Sequence, residues 1–249
     1  MNAHVRARGV AKAFRVHRYR RSVLRALRGA FDPAASQARW VLRDVSFDVA
    51  PGEKVALVGR NGSGKTTLLR LLAGIYTPTD GTLEVGVTPV ALFNAGIGFI
   101  KDLSVLDNIF LCGAIYGMPR RVLRGRIDAI LAAAGVPHLE HAPFKDLSSG
   151  QAQRLGLSIF FQSDRPLMVF DEALTNVDRV FAAHADRYFQ ALAASPTTVL
   201  MTSHDGAFLV RHCRRAIWLE AGRVRADGPA AEIVAGYEAA CRDAASAPR

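Results

Sequence analysis

One stretch of the sequence decides the fold, and it reads Gly59-Arg60-Asn61-Gly62-Ser63-Gly64-Lys65-Thr66-Thr67. The mostly apolar residues 54–59, which lead into it, predict a short strand, and residues 66–73 have the apolar spacing of a helix. A strand, a glycine-rich loop and a helix are the context in which the pattern G-x-x-x-x-G-K-[ST] binds phosphate. Glycines let backbone N–H groups face an anion, and the helix N-terminus adds partial positive charge. The stretch therefore predicts a site for a nucleoside triphosphate, where Lys65 reaches the outer phosphates.

A pair of acids follows a second apolar run. Residues 167–170 are continuously apolar, as is typical of a parallel strand covered on both faces, and Asp171 and Glu172 come next. Acids at the carboxyl end of such a strand lie where α/β sheets bind ligands. We expect Asp171 to hold Mg²⁺ together with the Thr66 hydroxyl, and Glu172 to act as general base on the attacking water. Taken alone, the pair is equally compatible with an ordinary solvated strand end.

A third stretch, Leu147-Ser148-Ser149-Gly150-Gln151, indicates the class of NTPase. It resembles the LSGGQ signature of ATP-binding cassette (ABC) ATPases, with Ser149 in place of the middle glycine. By itself a Ser/Gly pentapeptide before a helix is an ordinary N-cap. Together with the loop and the acids, it extends the resemblance to nearly the whole chain. The resemblance implies an α/β fold: a P-loop NTPase cassette with a RecA-like α/β core, an antiparallel β subdomain and an α-helical subdomain.

The resemblance implies three further site residues. Asp178 lies at the spacing of the D-loop, which couples the two sites of a dimer. His204, one of seven histidines, directly follows a β-rich apolar run and corresponds to the switch histidine that contacts the γ-phosphate. Phe14 lies where the family places an aromatic ring on adenine, although Tyr19 is close and a single aromatic is more often part of a core.

The resemblance also implies how the site is assembled. An ABC site holds ATP and Mg²⁺ between the phosphate loop of one protomer and the signature of another, here Ser148, Ser149, Gly150 and Gln151. The sequence has one set of motifs and no internal repeat, so it predicts a homodimer that encloses two ATP molecules. Since phosphoryl transfer depends on positioning and charge stabilisation, hydrolysis should depend on closure of this dimer.

The order of the patterns predicts how the cassette is divided. A chain of 249 residues, of which 50% are hydrophobic, can bury the core of a single ABC domain over 1–249. We expect an α/β core with the β subdomain from about 1–100 and 162–249, and a helical subdomain with the signature from about 101–161. A basic insertion is expected at 15–39.

Shorter stretches resemble ATPases that export cell-surface polysaccharides such as capsule, O-antigen and teichoic acid. These stretches are 92–99, 103–109, 114–117, 171–174 and 231–238. The resemblance implies a subunit that hydrolyses ATP to energise export of a polysaccharide or lipid-linked glycan, with an integral-membrane permease as its partner. The alternatives are another ABC transporter, for lipid, drug or peptide, and a soluble ABC ATPase acting on ribosomes or DNA. The soluble class usually needs two cassettes or a long coiled coil, and the sequence has neither.

One position departs from the family pattern. ABC ATPases usually carry a glutamine that touches Mg²⁺ and relays to the membrane subunit. Here Phe99 is followed by Ile100, Lys101 and Asp102, with no glutamine in the stretch. The residue that would replace it is left unassigned.

Charge and composition bear on location. The formal net charge is +10, and much of it lies in an early arginine cluster: Arg15, Arg18, Arg20, Arg21, Arg25, Arg28 and Arg39. This cluster is compatible with a solvated face, with anionic membrane headgroups or with nucleic acid. We expect no nucleic acid, because no aromatic-interleaved or helix-turn-helix pattern supports it.

No run reaches the roughly eighteen apolar residues of a membrane span, no signal peptide is recognisable, and the three cysteines are scattered. We therefore expect a cytoplasmic protein, peripheral on the inner face of the cell membrane.

Overall fold

The structure is a computed structural model, and it describes residues 3–17, 36–93, 98–172 and 179–246. Its strands are β1 Val5–His17, β2 Ser36–Val49, β3 Lys54–Val58, β4 Asp80–Val85, β5 Val90–Leu92, β6 Leu167–Asp171, β7 Thr198–Thr202, β8 Arg215–Glu220 and β9 Arg223–Pro229. Its helices are α1 Lys65–Leu72, α2 Val105–Ile115, α3 Arg120–Arg124, α4 Ile127–Ala134, α5 Ser149–Phe160, α6 Arg179–Ala194, α7 Gly206–His212 and α8 Ala230–Ser246, with a 3₁₀ turn at Phe144–Asp146.

Two sheets organise these elements. The smaller one is antiparallel, in the order β2-β1-β4. The larger one has the order β5-β6-β7-β3-β8-β9, and its pairs are parallel except for β8 with β9. The carboxyl ends of β3, β6 and β7 therefore meet at one edge of the larger sheet. The loop, the acids and the histidine predicted from sequence follow these three strands.

The larger sheet is covered on both faces, as the apolar strands predict. Along β3, Val55 and Leu57 belong to one buried cluster, while Ala56 and Val58 belong to the other. The first cluster joins the sheet to α1 and to the antiparallel sheet, and the second joins it to the helices on the opposite face. Because successive side chains of a strand point to opposite faces, each central strand is fixed from both sides.

The strands and helices expected around the motifs are present with small differences in their bounds. The strand predicted at 54–59 is β3, which ends at Val58, and the helix expected from Thr66 begins at Lys65. The basic insertion expected at 15–39 stays a prediction, and both of its ends lie in strands. Arg15 to His17 continue β1, and β2 already begins at Ser36, because the hairpin ladder pairs His17 with Ser36. The arginines from Arg18 to Arg28 lie outside the described residues.

The division of the cassette at about 101–161 stays a prediction. Helices α2 to α5 occupy most of that range, and their buried side chains belong to the same cluster as one face of the larger sheet. Within the ranges that the structure describes, no helix is both long enough and apolar enough to cross a membrane.

Candidate nucleotide-binding site

The phosphate loop needs glycine at its two ends. Gly59 directly follows β3, with φ +149°, and a β-carbon there would lie 2.2 Å from the carbonyl oxygen of Leu219. Gly64 precedes α1, with φ +109°, and its β-carbon would lie 2.5 Å from Leu42 Cδ2. Any side chain at these positions would displace β8 or β2 from the loop. The glycines therefore let two strands pack directly against a tight turn.

Lys65 lies across the loop with its side chain buried. Its ammonium donates hydrogen bonds to the carbonyl oxygens of Gly59, at 2.6 Å, and Arg60, at 3.3 Å. Burial lowers the pKa of Lys65, and the negative charges of Glu172 and Asp171 act in the opposite direction. Lys65 and one of the predicted acids, Glu172, line the same cavity.

The two acids are oriented by the next strand of the sheet. The parallel register pairs Asp171 with Thr202, and the Thr202 hydroxyl donates a hydrogen bond to Asp171 Oδ1 at 2.8 Å. The same hydroxyl accepts a hydrogen bond from the Glu172 backbone N–H at 2.9 Å. Glu172 has φ +52°, in the left-handed region, which costs a non-glycine residue on the order of 1–3 kcal/mol. Such a conformation persists only where surrounding contacts impose it.

Glu172 and His204 form a side-chain pair at the edge of the sheet. His204 Nε2 lies 3.0 Å from Glu172 Oε2, and both side chains are partly exposed. His204 follows β7, and the next residue, Asp205, caps α7 by accepting a hydrogen bond from the Phe208 N–H. The cap fixes the backbone beyond the histidine. The carboxylate and the imidazole thus face the phosphate loop together.

These groups line one cavity of about 330 Å³, and its walls are Val41, Asn61, Gly62, Gly64, Lys65, Thr66, Thr67, Glu172 and His204. Cavities of about 630 and 800 Å³ lie at the amino ends of the strands. We place the site in the smaller cavity, because parallel sheets bind ligands at the carboxyl ends of their strands. The residues fit a phosphate group. Ser63 of this loop has a buried hydroxyl without a hydrogen-bond partner among the described residues, and Thr66 and Asp171 provide the oxygen atoms that Mg²⁺ prefers.

Comparison with known proteins identifies the family of this domain. The family described as ABC transporter matches residues 42–175, a span that includes the phosphate loop, the signature and both acids. The chain belongs to the ABC transporter family. It carries an ABC ATPase domain, as the sequence motifs predicted.

Curated relatives of this ABC chain include export proteins. An O-antigen export system ATP-binding protein of Myxococcus xanthus is 33% identical over 222 residues, which are 89% of this chain and 51% of the relative. One of the same name from Klebsiella pneumoniae is 32% identical over 211 residues, 85% of this chain and 86% of the relative. A teichoic acids export ATP-binding protein of Lactococcus lactis is 31% identical over 199 residues, 80% of this chain and 42% of the relative. The chain thus spans about half the length of the Myxococcus relative.

Solved ABC structures share the fold. An ATP-binding subunit of an ABC transporter superposes with a TM-score of 0.73 at 20% identity, covering 94% of this chain and 93% of that one. A dimeric ATP-binding cassette in a post-hydrolysis state, bound to ADP and Pi, has a TM-score of 0.69 at 20% identity, with 91% and 98% covered. These neighbours confirm the predicted fold class.

Phe14, the residue predicted to stack on adenine, does not line the cavity in this ABC domain. Its ring packs edge-on against Tyr76, with 5.3 Å between ring centres, and the Lys12 ammonium lies 5.2 Å from it. The adjacent hairpin strand offers Trp40, which is 40% exposed and precedes the cavity residue Val41. The assignment of Phe14 stays a prediction, and Trp40 is a second candidate. Sequence reasoning missed Trp40, because nothing in the sequence indicates that it adjoins a cavity residue.

The ABC signature forms a capped helix start, apart from this cavity. The Ser148 hydroxyl accepts a hydrogen bond from the Gln151 N–H, and Gln151 Oε1 accepts one from the Ser148 N–H. Ser149 and Gly150 are exposed, and a β-carbon at Gly150 would have no atom within 4 Å. None of the four lines the cavity described above. Within one protomer the phosphate loop, Glu172 and His204 come together without the signature.

Two other expectations concern the surroundings of the ABC site. Asp178 lies outside the described residues, so its role as the D-loop acid stays a prediction. The segment without the glutamine is anchored by Asn108, whose Oδ1 accepts a hydrogen bond from the Ile100 N–H at 2.7 Å and whose Nδ2 donates to the Ile100 carbonyl at 3.0 Å. Ile100 itself is 49% exposed. An apolar side chain therefore protrudes from the stretch that has no glutamine.

Proposed function

We propose that this chain is the ATP-hydrolysing subunit of a transporter that exports a cell-surface polysaccharide or lipid-linked glycan. The observation that carries the ATPase part is the joint placement of Lys65, Glu172 and His204 around one cavity. The export part rests on relatives named for O-antigen and teichoic acid export that cover most of this chain.

The phosphates of ATP bind to the loop from Gly59 to Thr67. Backbone N–H groups and the Lys65 ammonium neutralise their charge, which is the main task in phosphoryl transfer. Lys65 then exchanges its present carbonyl partners for phosphate oxygens. Mg²⁺, when held by the Thr66 hydroxyl and the Asp171 carboxylate, supplies further positive charge at the β- and γ-phosphates.

The attacking water is oriented by the acid and the histidine. Glu172 accepts a proton from the water as general base, and His204 contacts the γ-phosphate beside it. Their 3.0 Å contact ties the carboxylate to the imidazole. Binding of the γ-phosphate therefore changes the surroundings of both groups at once.

Hydrolysis requires a second protomer. Ser148, Ser149, Gly150 and Gln151 of one copy complete the phosphate cage of the other, and Asp178 links the two sites. The separation of the signature from the cavity within one chain supports this arrangement, and so does the dimeric state of the cassette bound to ADP and Pi. ATP-driven closure and hydrolytic reopening then move a membrane partner.

The partner we propose is an integral-membrane permease, which places the chain on the cytoplasmic face of the cell membrane. The early arginine cluster would support attachment through anionic headgroups, at about 1 kcal/mol for each basic residue near the surface. The permease, and not this subunit, would then select the substrate.

A pull-down with the Glu172→Gln variant tests this proposal. The variant should keep ATP bound and the dimer closed, so the tagged chain with ATP is recovered from detergent-solubilised native membranes. The matched control is the same variant with ADP. A polytopic partner of the polysaccharide-export type, recovered with ATP, is the expected result. A polytopic partner that belongs to a lipid, drug or peptide transporter would contradict the polysaccharide substrate and leave the transporter role standing. Recovery only with ribosomes or DNA would overturn the transporter role.

A further inference from the structure

One buried side chain of β7 contacts both acids of the site. Thr202, the last residue of β7, is only 4% exposed. Its hydroxyl donates to Asp171 Oδ1 and accepts from the Glu172 N–H, at 2.8 and 2.9 Å. The Glu172 N–H also lies 3.3 Å from the Thr202 carbonyl oxygen. Thr202 thus contacts both Asp171, the acid proposed to hold Mg²⁺, and Glu172, the acid proposed to act as general base on the water.

We infer that Thr202 is a positioning residue for ATP hydrolysis, which orients the Asp171 carboxylate and holds Glu172 in its left-handed backbone conformation. This inference rests on the proposed roles of Asp171 and Glu172. Thr202 touches neither nucleotide nor water in this scheme and acts only through the two acids.

The geometry explains why a hydroxyl is needed at this position. A hydroxyl donates and accepts at the same time, so it can bond a carboxylate on one side and an N–H on the other. Valine has almost the same shape and can do neither. With valine the Asp171 carboxylate loses a charge-assisted bond and rotates more freely, and Glu172 loses one of the bonds that impose φ +52°. The distance from Glu172 Oε2 to His204, now 3.0 Å, would then vary.

The same strand supplies a matched control at its other end. Thr198, the first residue of β7, is also fully buried, and its hydroxyl accepts from the Gly52 N–H and donates to the Ala3 carbonyl, both at 2.8 Å. Thr198→Val therefore removes the same kind of buried hydroxyl with two partners, but away from the acids. Any loss of stability or activity that follows from removing a buried hydroxyl in general therefore appears in both Thr202→Val and Thr198→Val.

The experiment compares Thr202→Val, Thr202→Ser and Thr198→Val in the full chain. We expect Thr202→Val to lower kcat about ten- to a hundredfold, with KM for ATP changed by less than about threefold. Thr202→Ser keeps the hydroxyl and should recover most of kcat, and Thr198→Val should leave kcat within about twofold. Binding of Mn²⁺ with a non-hydrolysable ATP analogue, followed by electron paramagnetic resonance, should weaken about tenfold in Thr202→Val alone.

Glu172→Gln, assayed in parallel, distinguishes a failure of the general-base role of Glu172 from a failure of the positioning role of Thr202. If Glu172→Gln hydrolyses ATP at the wild-type rate, the assignment of the base fails. If Glu172→Gln is inactive while Thr202→Val keeps the wild-type kcat and Mn²⁺ affinity, or loses them no more than Thr198→Val, only the role of Thr202 is overturned. Thr202→Ala gives the same test with a smaller side chain if the valine variant does not fold.

Discussion

The phosphate loop, Gly59 to Thr67, and the acid corner, formed by Asp171, Glu172, Thr202 and His204, are two halves of one site. They are built in different ways. The loop consists of nine consecutive residues, and its shape follows from glycines within the stretch itself. The acid corner joins Asp171 and Glu172 with Thr202 and His204, about thirty residues further on, through the parallel register of β6 and β7. A contiguous motif can be recognised in a sequence, whereas a corner made by register becomes visible only in the folded sheet.

This difference predicts different responses to mutation. Changes in the loop should reduce nucleotide binding, because its groups contact phosphate in the ground state. Changes in the acid corner should reduce turnover with little effect on the affinity for nucleotide, because Glu172 and His204 act when the water attacks and Asp171 acts on the metal. The following variants test that separation, beginning with the largest expected effect.

Glu172→Gln should lower ATP hydrolysis by about a thousandfold, because the amide cannot accept the proton of the water. Nucleotide affinity should stay close to wild type, and the ATP-bound dimer should accumulate. Phosphate release and size-exclusion chromatography with ATP measure the two effects. Equal losses of affinity and turnover would contradict the separation between corner and loop.

Lys65→Ala should weaken ATP binding by about a hundredfold, since it removes a charged donor from the phosphates. Fluorescence titration with a labelled nucleotide measures the change. Lys54→Ala is the control, because Lys54 also donates to backbone carbonyls but lies at the start of β3, away from the cavity. Similar ATP affinities for the two variants would remove Lys65 from the site.

Gly64→Ala should lower the free energy of unfolding by about 1–3 kcal/mol, because the new β-carbon meets Leu42 and the backbone is left-handed. Gly62→Ala is the matched variant, with φ +81° and no atom within 4 Å of its β-carbon. Its cost should therefore be smaller, from the backbone alone. Urea unfolding of both proteins measures the difference, and equal costs would show that packing against β2 does not shape the loop.

Phe14→Ala and Trp40→Ala should have the smallest effects and should decide between the two aromatic candidates. The ring that stacks on adenine should weaken ATP binding by about fivefold or more, judged from the energies of base stacking. The other substitution should leave the affinity within about twofold. Titration with ATP and with inorganic triphosphate separates base contacts from phosphate contacts. If neither variant binds ATP more weakly, adenine is held without either ring.

Most of the fold was predictable, because its signals are local. The strand, loop and helix from Lys54 to Leu72 follow from apolar periodicity and glycine spacing, and the helix start at Ser148 follows from its capping residues. The extent of the hairpin at the ends of the expected basic insertion was not predictable, because its ladder runs through polar residues such as Arg15, which carry no apolar alternation.

The missed parts of the site depend on three-dimensional placement. Nothing in the sequence marks Thr202 as different from the other threonine of β7 until the register places it beside Asp171. The left-handed backbone of Glu172 is equally invisible, because glutamate has no preference for it. Trp40 directly precedes the cavity residue Val41 in β2, and its spacing from the phosphate loop does not specify that placement.

The backbone of Glu172 also has a consequence for attempts to engineer this protein. Its φ of +52° is a conformation that asparagine and glycine adopt more readily than glutamate. A laboratory selection for heat resistance alone should therefore favour Glu172→Asn, which relieves the backbone and abolishes the general base. Thermostable clones from such a library would be enriched in inactive ones, so screening for turnover has to accompany screening for stability.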